Sequence, residues 1–133
     1  MKRFLIFFLT MMFATQLFAH IGDNEQAIEE LCGKPIKTGS PDKRGVTTNK
    51  YQAGNYLVLV QFFKHLSIAE SYTRVDQRDF SEEELTGFLE GRNYSSHAWI
   101  KDPNNLEWER IDHHAHAWVR TVGGQPTFLI EVK

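Results

Sequence analysis

The densest β pattern in the chain runs from Val46 to about Val75. Its centre, Tyr51 to Tyr72, is rich in Val, Leu, Ile, Phe and Tyr, the residues that suit a pleated, half-buried surface. Gly54-Asn55 interrupts it with two residues that tolerate positive φ, as a tight hairpin turn requires. A second reversal is expected at Lys64-His65, so this stretch reads as an antiparallel meander.

Helical periodicity flanks the meander. Ile28, Leu31 and Cys32 fall at i, i+3 and i+4 after Asp23 and Gln26, which have capping-box spacing, and Gly33 and Pro35 end the pattern. Lys37 to Arg44 then reads as a polar loop. The second helix is punctuated more strongly. Ser81 and Glu84 form a capping box, Phe80 and Leu85 have hydrophobic-staple spacing, and Leu85, Phe88 and Leu89 make the apolar stripe. Glu82, Glu83 and Glu84 occupy the first turn, where the helix dipole favours negative charge, and Gly91 is the expected end. Asn93 to Asn105 reads as a polar connection containing Trp99, with a turn at Asp102-Pro103-Asn104. Strands are expected from Trp108 to Ile111, Ala115 to Val122 and Thr127 to Val132, the last two joined by Gly123-Gly124.

A shift of 57 residues lays Ile28, Leu31 and Cys32 on Leu85, Phe88 and Leu89, Tyr51 on Trp108, and Val58, Val60 and Phe62 on Ala115, Ala117 and Val119. The chain therefore reads as two repeats, 23–76 and 80–133, each a helix followed by an antiparallel meander. The class is α+β, with the helices packed on one face of an antiparallel sheet.

The helix ending in Leu31-Cys32-Gly33-Lys34-Pro35, followed by strands holding Tyr51 and Tyr56 to Phe63, resembles the outer-membrane assembly lipoproteins of the SmpA/OmlA type. The tandem layout is also similar to the beta-lactamase inhibitor protein, which doubles a helix-plus-sheet unit. The chain lacks the lipobox cysteine of the first and the disulfides of the second. The resemblance implies a small exported bacterial binding module.

The N-terminus agrees with export. Lys2 and Arg3 precede an apolar run, Phe4 to Phe13, and Leu17-Phe18-Ala19 ends in the small residue that a signal peptidase needs. Residues 1–19 are expected to be a signal peptide and 20–133 a single domain; the alternative is an uncleaved membrane anchor. Cleavage shifts the formal net charge from −2 to about −4. With no Lys/Arg stripe, nucleic acid is a poor partner, and no membrane span is expected after cleavage. Cys32 is the single cysteine, so packing must supply the stability, and a buried inert thiol is its expected state.

No nucleophile elbow, phosphate-cradling loop or dinucleotide fingerprint is present. Metal chemistry has one candidate. On an extended strand Asp112, His114 and His116 share one face, with the two imidazoles about 7 Å apart, a spacing that could serve Zn²⁺ or Cu²⁺. The alternative is a solvated strand face. His20, as a mature N-terminus, could chelate copper through its amine and imidazole.

Strand alternation supplies the binding candidate. Val58, Val60 and Phe62, with Ala115, Ala117 and Val119, should face the helices. The opposite face then carries Leu57, Leu59, Gln61 and Phe63 beside His114, His116, Trp118 and Arg120. Two short helices cannot cover both faces of the expected six-strand sheet. Leu57, Leu59, Phe63, Trp118 and Arg120 are therefore expected on an open face that recognises another macromolecule, an envelope or secreted protein, unless loops such as Asn93 to Asn105 fold over it. The rival readings are a metal-binding protein centred on His114 and His116, and a structural accessory domain. Export has a direct check: N-terminal sequencing of the product from its native host should begin at His20, and an intact Met1 on a membrane-bound product would overturn the expectation.

Overall fold

Each of two helices is followed by four strands, and all eight strands join one open sheet. The computed structural model describes residues 21–89 and 99–133. The elements are α1 (Glu25–Cys32), β1 (Lys37–Thr38), β2 (Val46–Ala53), β3 (Tyr56–Phe63), β4 (Leu66–Arg74), α2 (Glu82–Leu89), β5 (Trp99–Lys101), β6 (Glu107–Arg110), β7 (Ala115–Val122) and β8 (Gln125–Val132). The strand order is β1-β2-β3-β4-β8-β7-β6-β5, antiparallel throughout. The two meanders thus meet at β4 and β8 and run outward in mirrored order. The expected signal peptide, His20 and the expected helix end at Gly91 lie outside the described residues, as does the first part of the Asn93 to Asn105 connection.

The sheet has two more strands than the sequence pattern indicated. β1 spans 2 residues and β5 spans 3, too few for alternation to register, and both sit in polar segments that read as loop. They are the edges of the sheet, and short edges offer little template for unwanted pairing. Beside β1 the loop itself continues the pairing: Ile36, Gly39 and Asp42 donate their N–H groups to the carbonyls of Lys50, Thr48 and Val46.

The turns follow the sequence. Gly54 has φ of 57°, and Gly123 and Gly124 have φ of 58° and 80°. Lys64 and His65 reverse the chain as expected, both with positive φ, at 50° and 66°, although neither is Gly or Asn. At the start of α1 the cap is Asn24, not Asp23. Asn24 Oδ1 accepts from Ala27 N–H at 2.9 Å, while the Asp23 carbonyl accepts from Ser67 N–H of β4 and so belongs to the sheet contact. At α2 the capping box forms as expected, with Ser81 N–H donating to Glu84 Oε1 at 3.0 Å and Glu84 N–H donating to Ser81 Oγ at 3.1 Å.

The internal repeat is present, but its offset changes along the chain, because the turn before β7 is two residues longer than the turn before β3. The helices begin 57 residues apart, at Glu25 and Glu82, whereas β3 and β7 begin 59 apart, at Tyr56 and Ala115. Val58 and Val60 therefore correspond to Ala117 and Val119, one dipeptide away from the simple shift. Because two residues preserve strand parity, the inward faces stay as expected. Val58, Val60, Phe62, Ala115 and Ala117 are buried, and Val119 is half-buried against the core.

The core lies between this inner face and the helices. Phe88 of α2 stacks on Tyr72 of β4 at 4.8 Å and on Phe128 of β8 at 5.4 Å, and meets Tyr56 edge-on at 5.2 Å. Trp108 closes the second half edge-on against Phe128. Phe80 packs on Phe88 and Phe128, anchoring the entry to α2. Ile28 is the buried residue of α1.

One polar contact set ties α2 to the sheet. The Glu84 carboxylate accepts from the Tyr56 hydroxyl, from Arg74 Nη1 at 2.6 Å and from Ser81 N–H, while Arg74 also grips Asp76 at 2.8 and 2.6 Å. Burial acts to raise the Glu84 carboxyl, but the three donors outweigh it and hold the group below the ordinary value of 4.5. The folded state then binds the proton less readily than the unfolded chain. The stabilisation is present above about pH 4.5 and is lost as pH falls through the folded value. Glu84→Gln should lower unfolding free energy at pH 7 by about 1–3 kcal/mol and flatten the acid side of the stability profile. Denaturant melts at pH 7 and pH 3 check both; an unchanged acid slope would remove Glu84 from this role.

Candidate functional site

The outer face of the sheet is not uniform. On β7, alternate side chains point outward, so His116, Trp118 and Arg120 form a ladder along the strand. The His116 ring lies parallel to the Trp118 indole, with centroids 4.3 Å apart and planes at 12°. The Arg120 guanidinium carbon sits 4.9 Å from the centre of the Trp118 rings. Glu107 of β6 and Leu129 of β8 flank Trp118, while Glu109 and Glu131 flank His116.

This ladder lines a groove of about 570 Å³ whose walls include Ile100, Lys101, Glu107, Glu109 and Lys133. Trp118 is only 8% exposed although it belongs to the face away from the helices. Among the described residues, buried Trp118 Nε1 and His116 Nδ1 have no hydrogen-bond partner. An indole N–H shut away from water without an acceptor costs on the order of 1–3 kcal/mol, so this feature is not neutral.

The binding residues expected from sequence divide into two groups. Leu59 and Phe63 of β3 are 43% and 39% exposed on the same outer face, and Leu57 is half-buried. They do not lie beside Trp118 and Arg120, because β4 and β8 intervene. Three strand spacings put the two groups about 14 Å apart. Alternation identified the face correctly but could not supply the strand order. Trp118 also differs from the exposed residue that an open face suggests, being enclosed by its own neighbours on β7 and by the groove walls.

The expected metal set does not share a strand. Asp112 and His114 lie in the turn between β6 and β7, where His113 has φ of 63°, so the alternation that aligned them with His116 does not apply. Asp112 Oδ1 accepts from Arg110 Nε at 2.9 Å and from His114 N–H at 3.0 Å, a local Asx turn. His116 Nε2 is 3.4 Å from Glu131 Oε1. Among the described residues, no group of three or more His, Cys, Asp or Glu side chains converges to hold a metal ion. No helix among them is long and apolar enough to cross a membrane.

Cys32 is half-buried and packs against the core, and burial, with the Glu70 carboxyl adding to it, pushes the thiol up to about 12. It is therefore protonated at neutral pH and a weak nucleophile, although it is half-buried where the sequence pattern indicated a fully buried thiol. Glu70 itself is buried, accepting from the Tyr72 hydroxyl at 2.5 Å.

Sequence pattern did not single out Glu109. Its Oε1 accepts from Lys133 Nζ at 2.7 Å and lies 2.9 Å from His113 Nδ1, joining the end of the chain to the β6–β7 turn. Lys133, and after it His113, hold the carboxyl down at about 2. Its contribution is present above the ordinary value of 4.5 and is lost as pH falls through about 2. The Glu109 carboxyl ¹³C resonance should titrate near pH 2, and Lys133→Ala should move that midpoint upward; an ordinary midpoint in the unaltered chain would show the pairing absent in solution.

No protein-family model and no curated protein matches the chain. Among solved structures, the fold is similar to that of a cysteine-rich secretory protein from Staphylococcus aureus, with a TM-score of 0.50 and 9% identity. The match covers 85% of this chain and 44% of that one, so the chain spans less than half the length of the staphylococcal protein. At this identity the likeness concerns the fold.

Proposed function

We propose that the protein is an exported, non-catalytic binding module that recognises another macromolecule, an envelope or secreted protein, through the outer face of its sheet. The groove beside Trp118 is the centre of that surface. The observation that carries this reading is the buried indole on the face away from the helices, stacked between His116 and Arg120 and lacking an acceptor. Trp and Arg are the residues that most often dominate interface energies when they sit in enclosed, desolvated positions. Leu59 and Phe63 extend the surface on the other side of the central strands.

The export part rests on the N-terminal pattern of charge, apolar run and small residue. A secretory protein with a similar fold agrees with it. The beta-lactamase inhibitor protein resemblance contributes the doubled helix-plus-meander layout and no named target.

A photo-crosslinking residue placed at Ile100 on the groove wall, at Leu59 or at exposed Glu30 on α1 separates the readings when each variant is expressed in its native host. Ile100 and Leu59 should yield a shared adduct that Glu30 does not. Equal adducts at all three positions, or none at any, would defeat the reading and leave a structural accessory domain.

A further inference from the structure

Resting on that reading of the outer face, we infer that the groove beside Trp118 receives a carboxylate, held by the Arg120 guanidinium and the Trp118 indole N–H. The charges around the groove are mostly committed already. Glu109 is taken by Lys133 and His113, and Arg110 by Asp112. Arg120 is exposed, and the contact the structure gives it is with the indole ring. Trp118 Nε1 can only donate, and it is more than nine-tenths buried with no acceptor. Two donors two residues apart on one strand face, one cationic and one neutral, call for an anionic oxygen ligand.

The rest of the groove selects among anions. Glu107 stands opposite Trp118 in the β6–β7 register, and Glu109 opposite His116. A phosphate dianion would meet both carboxylates at close range, whereas a carboxylate brings a single charge. Its planar pair of oxygens also suits the guanidinium fork. Nε1 is closed to solvent, with Arg120 lying over the rings. The N–H leaves the ring at its edge, not through the face that Arg120 covers, so a ligand reaches Nε1 as the side chains at that edge move aside while the anion engages the guanidinium. The faces of the indole are occupied by His116 and Arg120, which disfavours a ligand recognised by stacking. The carboxylate could be the C-terminus of a peptide or an acidic side chain.

Titration of the ¹⁵N-labelled full mature chain, followed at the indole Nε1–H resonances, tests this. Trp118→Phe identifies the Trp118 signal, and the Trp99 and Trp108 signals report that the fold is intact. The probes are sodium acetate, a short acetylated apolar peptide with a free C-terminus, its C-terminal amide, the same amide carrying one internal Glu, and inorganic phosphate, all at constant ionic strength. The Trp118 signal should shift saturably with acetate, and at roughly tenfold lower concentration with one of the two carboxylate peptides, which identifies the source. Arg120→Gln should weaken the response at least tenfold, and Arg120→Lys less. The inference fails if no carboxylate moves the Trp118 signal, if Arg120→Gln responds like the unaltered chain, or if phosphate acts where acetate does not. Should the carboxylates fail while a crosslinker at Ile100 still captures the partner, the anion assignment falls and the recognition face stands.

Discussion

The structure depends on the pairing of β4 with β8. Ala69, Glu70, Ser71 and Tyr72 face Glu131, Ile130, Leu129 and Phe128 across this seam, the one place among the described residues where the two meanders share backbone hydrogen bonds. It also builds the middle of the core, because Tyr72 and Phe128 are the two rings on which Phe88 stacks. One residue of α2 thus rests on both halves of the sheet at once. A four-strand meander with one short helix has little apolar surface to bury alone; joined at the seam, each half covers the exposed edge of the other.

That arrangement explains where a site can form. The helices take one face, and the seam places β3 and β7 symmetrically about the centre of the other. Lys133 follows β8 directly and so lies beside β6 and β7, where it neutralises Glu109. The outer face near β7 consequently collects the charged groups, while that near β3 keeps exposed Leu59 and Phe63.

Elements that rest on local chemistry could be read from the sequence. The α2 capping box, the Gly54, Lys64-His65 and Gly123-Gly124 reversals, and the inward set of Val58, Val60 and Phe62 all depend on neighbours within a few residues. What depends on distant pairing could not. The Asn24 cap follows from Asp23 being held by Ser67, far along the chain. The edge strands β1 and β5 exist because a partner strand lies beside them, not because their own residues alternate. Asp112 and His114 looked aligned with His116 only on the premise of an unbroken strand, which the positive φ of His113 breaks. Trp118 and Arg120 were legible as residues of one face, but the groove needed β5 and β6 beside them, and their separation from Leu59 needed the strand order.

Duplication sharpens the contrast between the two halves. With the 59-residue offset of the strands, His116, Trp118 and Arg120 correspond to Leu57, Leu59 and Gln61. The cross-strand neighbour of Leu59 is Lys50, whereas that of Trp118 is Glu107. The pairing of β3 with β4 shifts register between Gln61 and Phe62, where Ile68 of β4 is the extra residue, while β7 pairs with β8 without a break from Ala115 to Val122. β3 itself pairs with β2 without a break, so both strands keep their outward side chains in line; what differs is that His116, Trp118 and Arg120 can stack, whereas Leu57, Leu59 and Gln61 cannot. Scaffold alone therefore does not make the groove, since the first half has the same scaffold and presents isolated leucines. The groove arises where an aromatic ladder and a committed charge pair coincide, and that coincidence belongs to the second half.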